Sequence, residues 1–95
     1  MEGTMSVEII IPLVLRQYAE NRDSVKLSGQ NIGELLDNLM QKFPNMKKHL
    51  FSEDGQIRNF VNVYVNDDDI RYLGNSQTQL KEGDVISLIP SVAGG

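Results

Sequence analysis

Ile32, Leu35, Leu36, Leu39, Met40 and Phe43 recur at the i, i+3, i+4, i+7 spacing of an α-helix, and no other stretch of the chain carries that period as strongly. Asn31 stands at the N-cap position. Glu34, three residues on, can reach back as in a capping box, with Asn in place of the usual Ser or Thr. Pro44 biases Phe43 away from helical geometry and closes the segment. The spacing assigns Met40 and Phe43 to a core rather than to a cofactor contact. A lone helix with one apolar stripe must bury it against something else, and the other apolar residues fall in β-branched runs. The predicted class is therefore α+β, with the helix laid across one face of a mixed sheet.

The strands are read in chain order. Val7-Glu8-Ile9-Ile10-Ile11 is strongly β-branched, and Pro12 is tolerable at its end. Residues 13–19 suit a short helical turn, residues 20–23 a loop, and Ser24-Val25-Lys26-Leu27-Ser28 alternates as a half-buried strand, which Gly29 breaks. Residues 45–51 suit another helical turn and Ser52-Glu53-Asp54-Gly55 a tight turn. Phe60 to Asn66 alternates, with Val61, Val63 and Val65 on one face. Asn66-Asp67-Asp68-Asp69 has the composition of a solvated turn; it lacks the spaced acids, central Gly and closing Glu of a calcium loop. Residues 70–73 are predicted as a short strand, 74–79 as a loop and 80–84 as a turn into the last strand, Val85-Ile86-Ser87-Leu88-Ile89, ended by Pro90. Strand 1 and the last strand are expected at the centre of the sheet.

Composition narrows the function classes. The 95 residues make one domain, expected over residues 6–90, with Met1 to Thr4 left outside it and 91–95 as a flexible tail. So short a chain buries only about 60% of its unfolded surface and has no room for a cleft between lobes, which favours binding or carriage over catalysis. With no cysteine there is no disulfide, thiolate metal site or side-chain persulfide. A formal charge of −4 argues against nucleic acid. No apolar run approaches a membrane span, and no leader pattern opens the chain, so cytoplasm is the expected compartment. His49, the only histidine, has no partner ligands near it in sequence and is read as a surface or partly packed residue.

The tail, Ser91-Val92-Ala93-Gly94-Gly95, directly follows the closing strand. Gly94 and Gly95 can lie extended in a channel too narrow for other residues. A Gly95 carboxylate is ionised at neutral pH: nucleophilic towards the α-phosphate of ATP, yet a poor acyl donor until adenylated. In the last strand, alternation directs Ile86 and Leu88 towards the helix and Val85, Ser87 and Ile89 away from it. Ile89, with Pro12 from the neighbouring strand, is the expected apolar docking patch that positions Gly95 in an enzyme.

Phe60-Val61-Asn62-Val63-Tyr64-Val65-Asn66, Leu80 with Gly83-Asp84, and Ile89-Pro90-Ser91-Val92-Ala93-Gly94-Gly95 resemble the corresponding stretches of the small ubiquitin-like sulfur carriers. The resemblance runs from about Ser6 to Gly95 and is most specific in its C-terminal third. It implies a β-grasp of about five strands. Within the family the branch serving cysteine synthesis is nearest. The small subunit of molybdopterin synthase shares the ending but commonly has a second proline at the place of Ser91 and a shorter segment than residues 44–58.

The resemblance further implies that the protein is a substrate and not an enzyme. An E1-like enzyme would adenylate Gly95 with ATP, and sulfur would displace AMP to leave a thiocarboxylate, with Gly94, Ala93 and Val92 threading the channel. A pyridoxal-phosphate-dependent cysteine synthase would supply the acceptor, and a zinc metalloprotease would free the cysteine. ATP, pyridoxal phosphate and zinc belong to these partners, leaving no cofactor for the chain itself. Two other classes use the same residues differently: a ubiquitin-like modifier ending in isopeptides, and an interaction module that ignores Gly95.

Overall fold

The computed structural model describes residues 6–58 and 61–90. Its frame is a five-stranded sheet ordered β2-β1-β5-β3-β4. β1 (Ser6–Ile10) and β2 (Ser24–Ser28) are antiparallel neighbours, and β5 (Val85–Pro90) lies parallel to β1. β3 (Val61–Val65) runs antiparallel to β5, and β4 (Asp68–Asp69) closes the far edge. The expected central pair is thus observed, and with α1 (Ile32–Lys42) packed against it the architecture is the β-grasp.

Alternation along the strands sorts the side chains into two faces. Val25, Ile9, Ile86 and Val65 register side by side across four strands and are all buried, as are the registered Val63 and Leu88. They share one cluster with Ile32, Leu35, Leu36, Leu39 and Met40 of α1, each such side chain contributing about 1.5–3 kcal/mol by leaving water. Gly29 lets β2 pass the helix closely, since a Cβ there would stand 2.8 Å from the Leu35 Cα.

Asn31 caps α1 as expected, its Oδ1 accepting the Glu34 N–H at 2.8 Å. Glu34 answers one residue further back than in the usual box, its Oε1 accepting from the Gln30 N–H at 2.7 Å. Asn31 itself forms an isolated bridge with Gln79, and the Ile32 N–H donates to the Thr78 carbonyl. The helix start is therefore sewn to the segment before β5. After Pro44 a 3-10 turn, Pro44–Met46, leads into α2 (Lys47–Leu50), and the turn at residues 52–55 sits inside a small hairpin bridged by Phe51 and Ile57.

Three expectations are corrected. Residues 70–73 are not a strand: β4 is the pair Asp68–Asp69, followed by a 3-10 turn, Ile70–Tyr72. The cause is local, because Asp69 accepts the Arg71 N–H at 2.8 Å and so caps a helical turn where a strand would continue. The same bond takes Asp69 out of the solvated class, leaving it only 8% exposed. Pro90 belongs to the last strand instead of lying beyond it, in register with Val61. The Asn66 N–H donates to the Val85 carbonyl, so by alternation Val61 and Pro90 form a non-hydrogen-bonded pair that needs no proline N–H. The tail expected at 91–95 lies outside the described residues.

Candidate functional site: the open sheet face beside the last strand

The face of the sheet turned away from α1 carries Ile10, Ser87, Tyr64 and Asp69 in one registered row and Ile89 beside Asn62 in the next. Two residues beyond the last registered pair of β1 and β5, Ile10 and Ser87, come Pro12 and Ile89. Ile89 is 48% exposed, whereas Ile86 and Leu88 on the other face are buried, so the predicted facing of the last strand holds. Pro12 is half-buried and extended. Gly95, Gly94, Ala93 and Val92 lie outside the described residues; the strand that leads to them is the middle one of the five.

The apolar surface is larger than Pro12 and Ile89 alone. A 3-10 helix, Leu13–Tyr18, follows Pro12, and in it only Leu15 is buried, leaving Leu13 75% and Val14 63% exposed. Three consecutive apolar residues on a three-residue turn point in three directions, so they cannot all reach one core. Arg16 ties this helix to the strand end, its Nε donating to the Ile11 carbonyl at 2.9 Å.

The β3 and β4 margin of the face is polar and tightly bonded. Arg71 Nη2 donates to Asp69 Oδ2 at 2.8 Å and to Asn62 Oδ1 at 2.6 Å, and its Nε lies 3.2 Å from Asp69 Oδ1. The Arg71 side-chain and backbone N–H groups hold the Asp69 carboxyl below the usual carboxylate range, against the opposing effect of burial. Asp69 in turn raises the Arg71 guanidinium. Tyr72 beside it is 86% exposed.

His49 stacks on Tyr18 with ring centroids 4.4 Å apart, and its Nε2 is buried without a hydrogen-bond partner among the described residues. It is the partly packed residue that the sequence suggested. A groove of about 540 Å³ runs between α1, the hairpin around Gly55 and β3, with Leu36, Val63 and Ile70 in its wall, and it reaches Asp69 and Arg71 at the β4 edge of the sheet. Among the described residues no cluster of His, Asp or Glu could hold a metal ion, and no helix is long and apolar enough to cross a membrane.

Sheet order, the single covering helix and a last strand that runs through the middle of the sheet define a ubiquitin-like β-grasp protein. The chain belongs to the ThiS family, whose sequence pattern spans residues 9–95. It is 36% identical over 93 residues to the sulfur carrier protein CysO of Mycobacterium tuberculosis, covering 96% of this chain and 100% of that one. The crystal structure of a BexX/CysO complex from Amycolatopsis orientalis contains a chain that matches with a TM-score of 0.85 and 35% identity, over 94% of this chain and 99% of that one. The small archaeal modifier protein 1 of Methanosarcina acetivorans matches with a TM-score of 0.83 and 28% identity, over 99% and 100% of the two chains.

Proposed function

We propose that this protein is a sulfur carrier, a substrate of other enzymes and not an enzyme itself, that works in the cytoplasm through its Gly95 carboxylate. The observation that carries the reading is that, in a ThiS-family chain, the central strand ends at Pro90 with Ile89 exposed on its open face, and Gly94 and Gly95 follow four and five residues further along the sequence. On this reading the domain is the handle that partners hold, and Gly95 is the reactive residue.

The chemistry follows from the terminus. A Gly95 carboxylate oxygen attacks the α-phosphorus of ATP in an E1-like enzyme, pyrophosphate leaves, and the acyl adenylate becomes a good acyl donor. A sulfur nucleophile then adds to the carbonyl, AMP departs, and a thiocarboxylate remains. That group is an ionised sulfur nucleophile at neutral pH. Fixing it to a protein gives it a high effective concentration at any enzyme that grips the domain, without release of sulfide. Ile89, Pro12, Leu13 and Val14 are the grip. Likeness to CysO favours cysteine synthesis as the destination, with the sulfur passing to an acceptor on a pyridoxal-phosphate-dependent cysteine synthase and a zinc metalloprotease freeing the product. ATP, pyridoxal phosphate and zinc then come with those partners.

Deleting Gly95, or changing Gly94→Trp, tests this directly. Both variants should keep the circular dichroism and urea midpoint of the wild type, because the last few residues of a domain add little stability unless they are tied down. Both should lose ATP–pyrophosphate exchange with the activating enzyme. Undiminished thiocarboxylate formation by the Gly95 deletion would end the reading. A second reading, a protein modifier, is favoured by the match to the archaeal modifier protein; it predicts stable high-mass conjugates in cell extract, which a carrier does not form.

A further inference from the structure

The apolar row explains adhesion but not selectivity, since any apolar surface would do. Selectivity needs a directional group of fixed position, and the open face has one at its β3 margin. Asn62 is the registered partner of Ile89, so the two side chains stand next to each other on the same face. Arg71 Nη2 donates to Asn62 Oδ1, which sets the guanidinium one side chain away from Ile89. Asp69 grips the same group through Nε and Nη2, and Asp69 is itself fixed by the Arg71 backbone N–H. The remaining nitrogen, Nη1, makes no hydrogen bond to any described residue, and the Arg71 side chain is 57% exposed.

A long side chain normally loses rotamer entropy when it meets a partner. Here that entropy has already been lost in folding, and with the side chain 57% exposed the N–H groups of Nη1 are left to meet a partner. The chemistry of what they take follows from the surroundings. One guanidinium bonded to Asn62, the registered partner of Ile89, and next in sequence to the exposed Tyr72, on a chain of net charge −4, is a poor match for a polyanion, which needs clustered cations. It suits a protein surface that offers an apolar patch and a single carboxylate at its margin.

Building on the carrier reading above, we propose that Arg71 is the specificity-determining residue of this docking face, its Nη1 receiving a carboxylate of the activating enzyme while Ile89 and Leu13 meet apolar side chains of the same partner. Arg71 acts by positioning and takes no part in the adenylation chemistry. Asp69 and Asn62 set its direction.

The test measures affinity of the E1-like activating enzyme for the full-length chain at low and at high salt. The variant Asp69→Asn/Arg71→Met removes the buried carboxylate together with its partner, so no unpaired charge is left in the fold. Arg71→Lys is the second variant: it keeps a cation for Asp69 but gives up the guanidinium fork and the Nη1 donors. The wild type should bind more weakly as salt rises. The double variant should lose about tenfold in affinity at low salt, the scale of one charge-assisted hydrogen bond, and much of its salt dependence. Arg71→Lys should fall in the same direction while staying folded by circular dichroism and keeping much of its salt dependence, a split that a purely structural role for Arg71 does not predict. Either variant, folded, with wild-type affinity and salt response overturns this inference alone. A wild type that the enzyme neither binds nor adenylates overturns the carrier reading and this inference with it.

Discussion

The two faces of the sheet are built from the same strands, often from adjacent residues, and they obey different rules. On the covered face Ile86 and Leu88 meet α1, and every position is fixed by packing. On the open face Ile89, one residue on from Leu88, stays 48% exposed, and nothing in the domain requires it to be apolar. The covered face accounts for the fold. The open face, with the Arg71 guanidinium held by Asp69 and Asn62, carries the groups through which we propose that partners recognise the protein.

The strongest way to break this comparison is to exchange the faces at neighbouring positions. Leu88→Asp places an unpaired carboxylate against α1 and removes an apolar side chain, a loss of about 5 kcal/mol or more, comparable with the whole stability of a small domain. Circular dichroism should report an unfolded chain. Ile89→Asp should leave the spectrum and urea midpoint close to wild type and weaken binding of the activating enzyme by about 1.5 kcal/mol or more. If Ile89→Asp unfolds the protein and Leu88→Asp does not, the two faces have been assigned the wrong way round.

A smaller effect sharpens the covered side. Asn31→Ala removes the side-chain acceptor for the Glu34 N–H and should cost about 1 kcal/mol in urea unfolding, with no change in affinity for partners. An affinity change would mean that the helix start takes part in docking.

The smallest effect belongs to the polar margin of the open face. Asp69 is held below its ordinary value of 3.8 by Arg71. A carboxylate whose folded value is depressed stabilises the fold above its unfolded value, and that contribution is lost as pH falls through the folded value. Wild-type stability should therefore drop below pH 3.8 more steeply than that of Asp69→Asn. Asp54, lowered by the Ser52 hydroxyl and the Gln56 N–H, pulls in the same direction and remains in both proteins, so the difference between them isolates Asp69.

What could be read from the sequence divides along the same line. The stripe from Ile32 to Met40, the cap at Asn31 and the alternation of Val61, Val63 and Val65 were legible because each is a periodic or short-range pattern. The facing of Ile86, Leu88 and Ile89 followed from alternation alone. The turn at Ile70–Tyr72 was not legible, because it depends on whether the Asp69 side chain bonds the backbone two residues on or faces water, and composition reads the same either way. Leu13 and Val14 were missed for a related reason: an apolar triplet signals burial, and only the 3-10 geometry shows that one of the three finds the core. Arg71 gave no signal, since its direction comes from Asn62, nine residues away. For Gly95 the residues themselves suggested an extended Gly-Gly end with an ionised carboxylate open to adenylation, while the thiocarboxylate came only from the resemblance of the last stretch to a known family; both remain expectations, since Gly95 lies outside the described residues.

The most direct test of the central claim is the intact mass of the wild-type chain after incubation with the activating enzyme, ATP and a sulfur donor. The account predicts exchange of one oxygen for sulfur at Gly95, dependent on ATP and abolished by deleting that residue. A chain whose mass is unchanged, under conditions in which the same enzyme charges its own carrier, would contradict it.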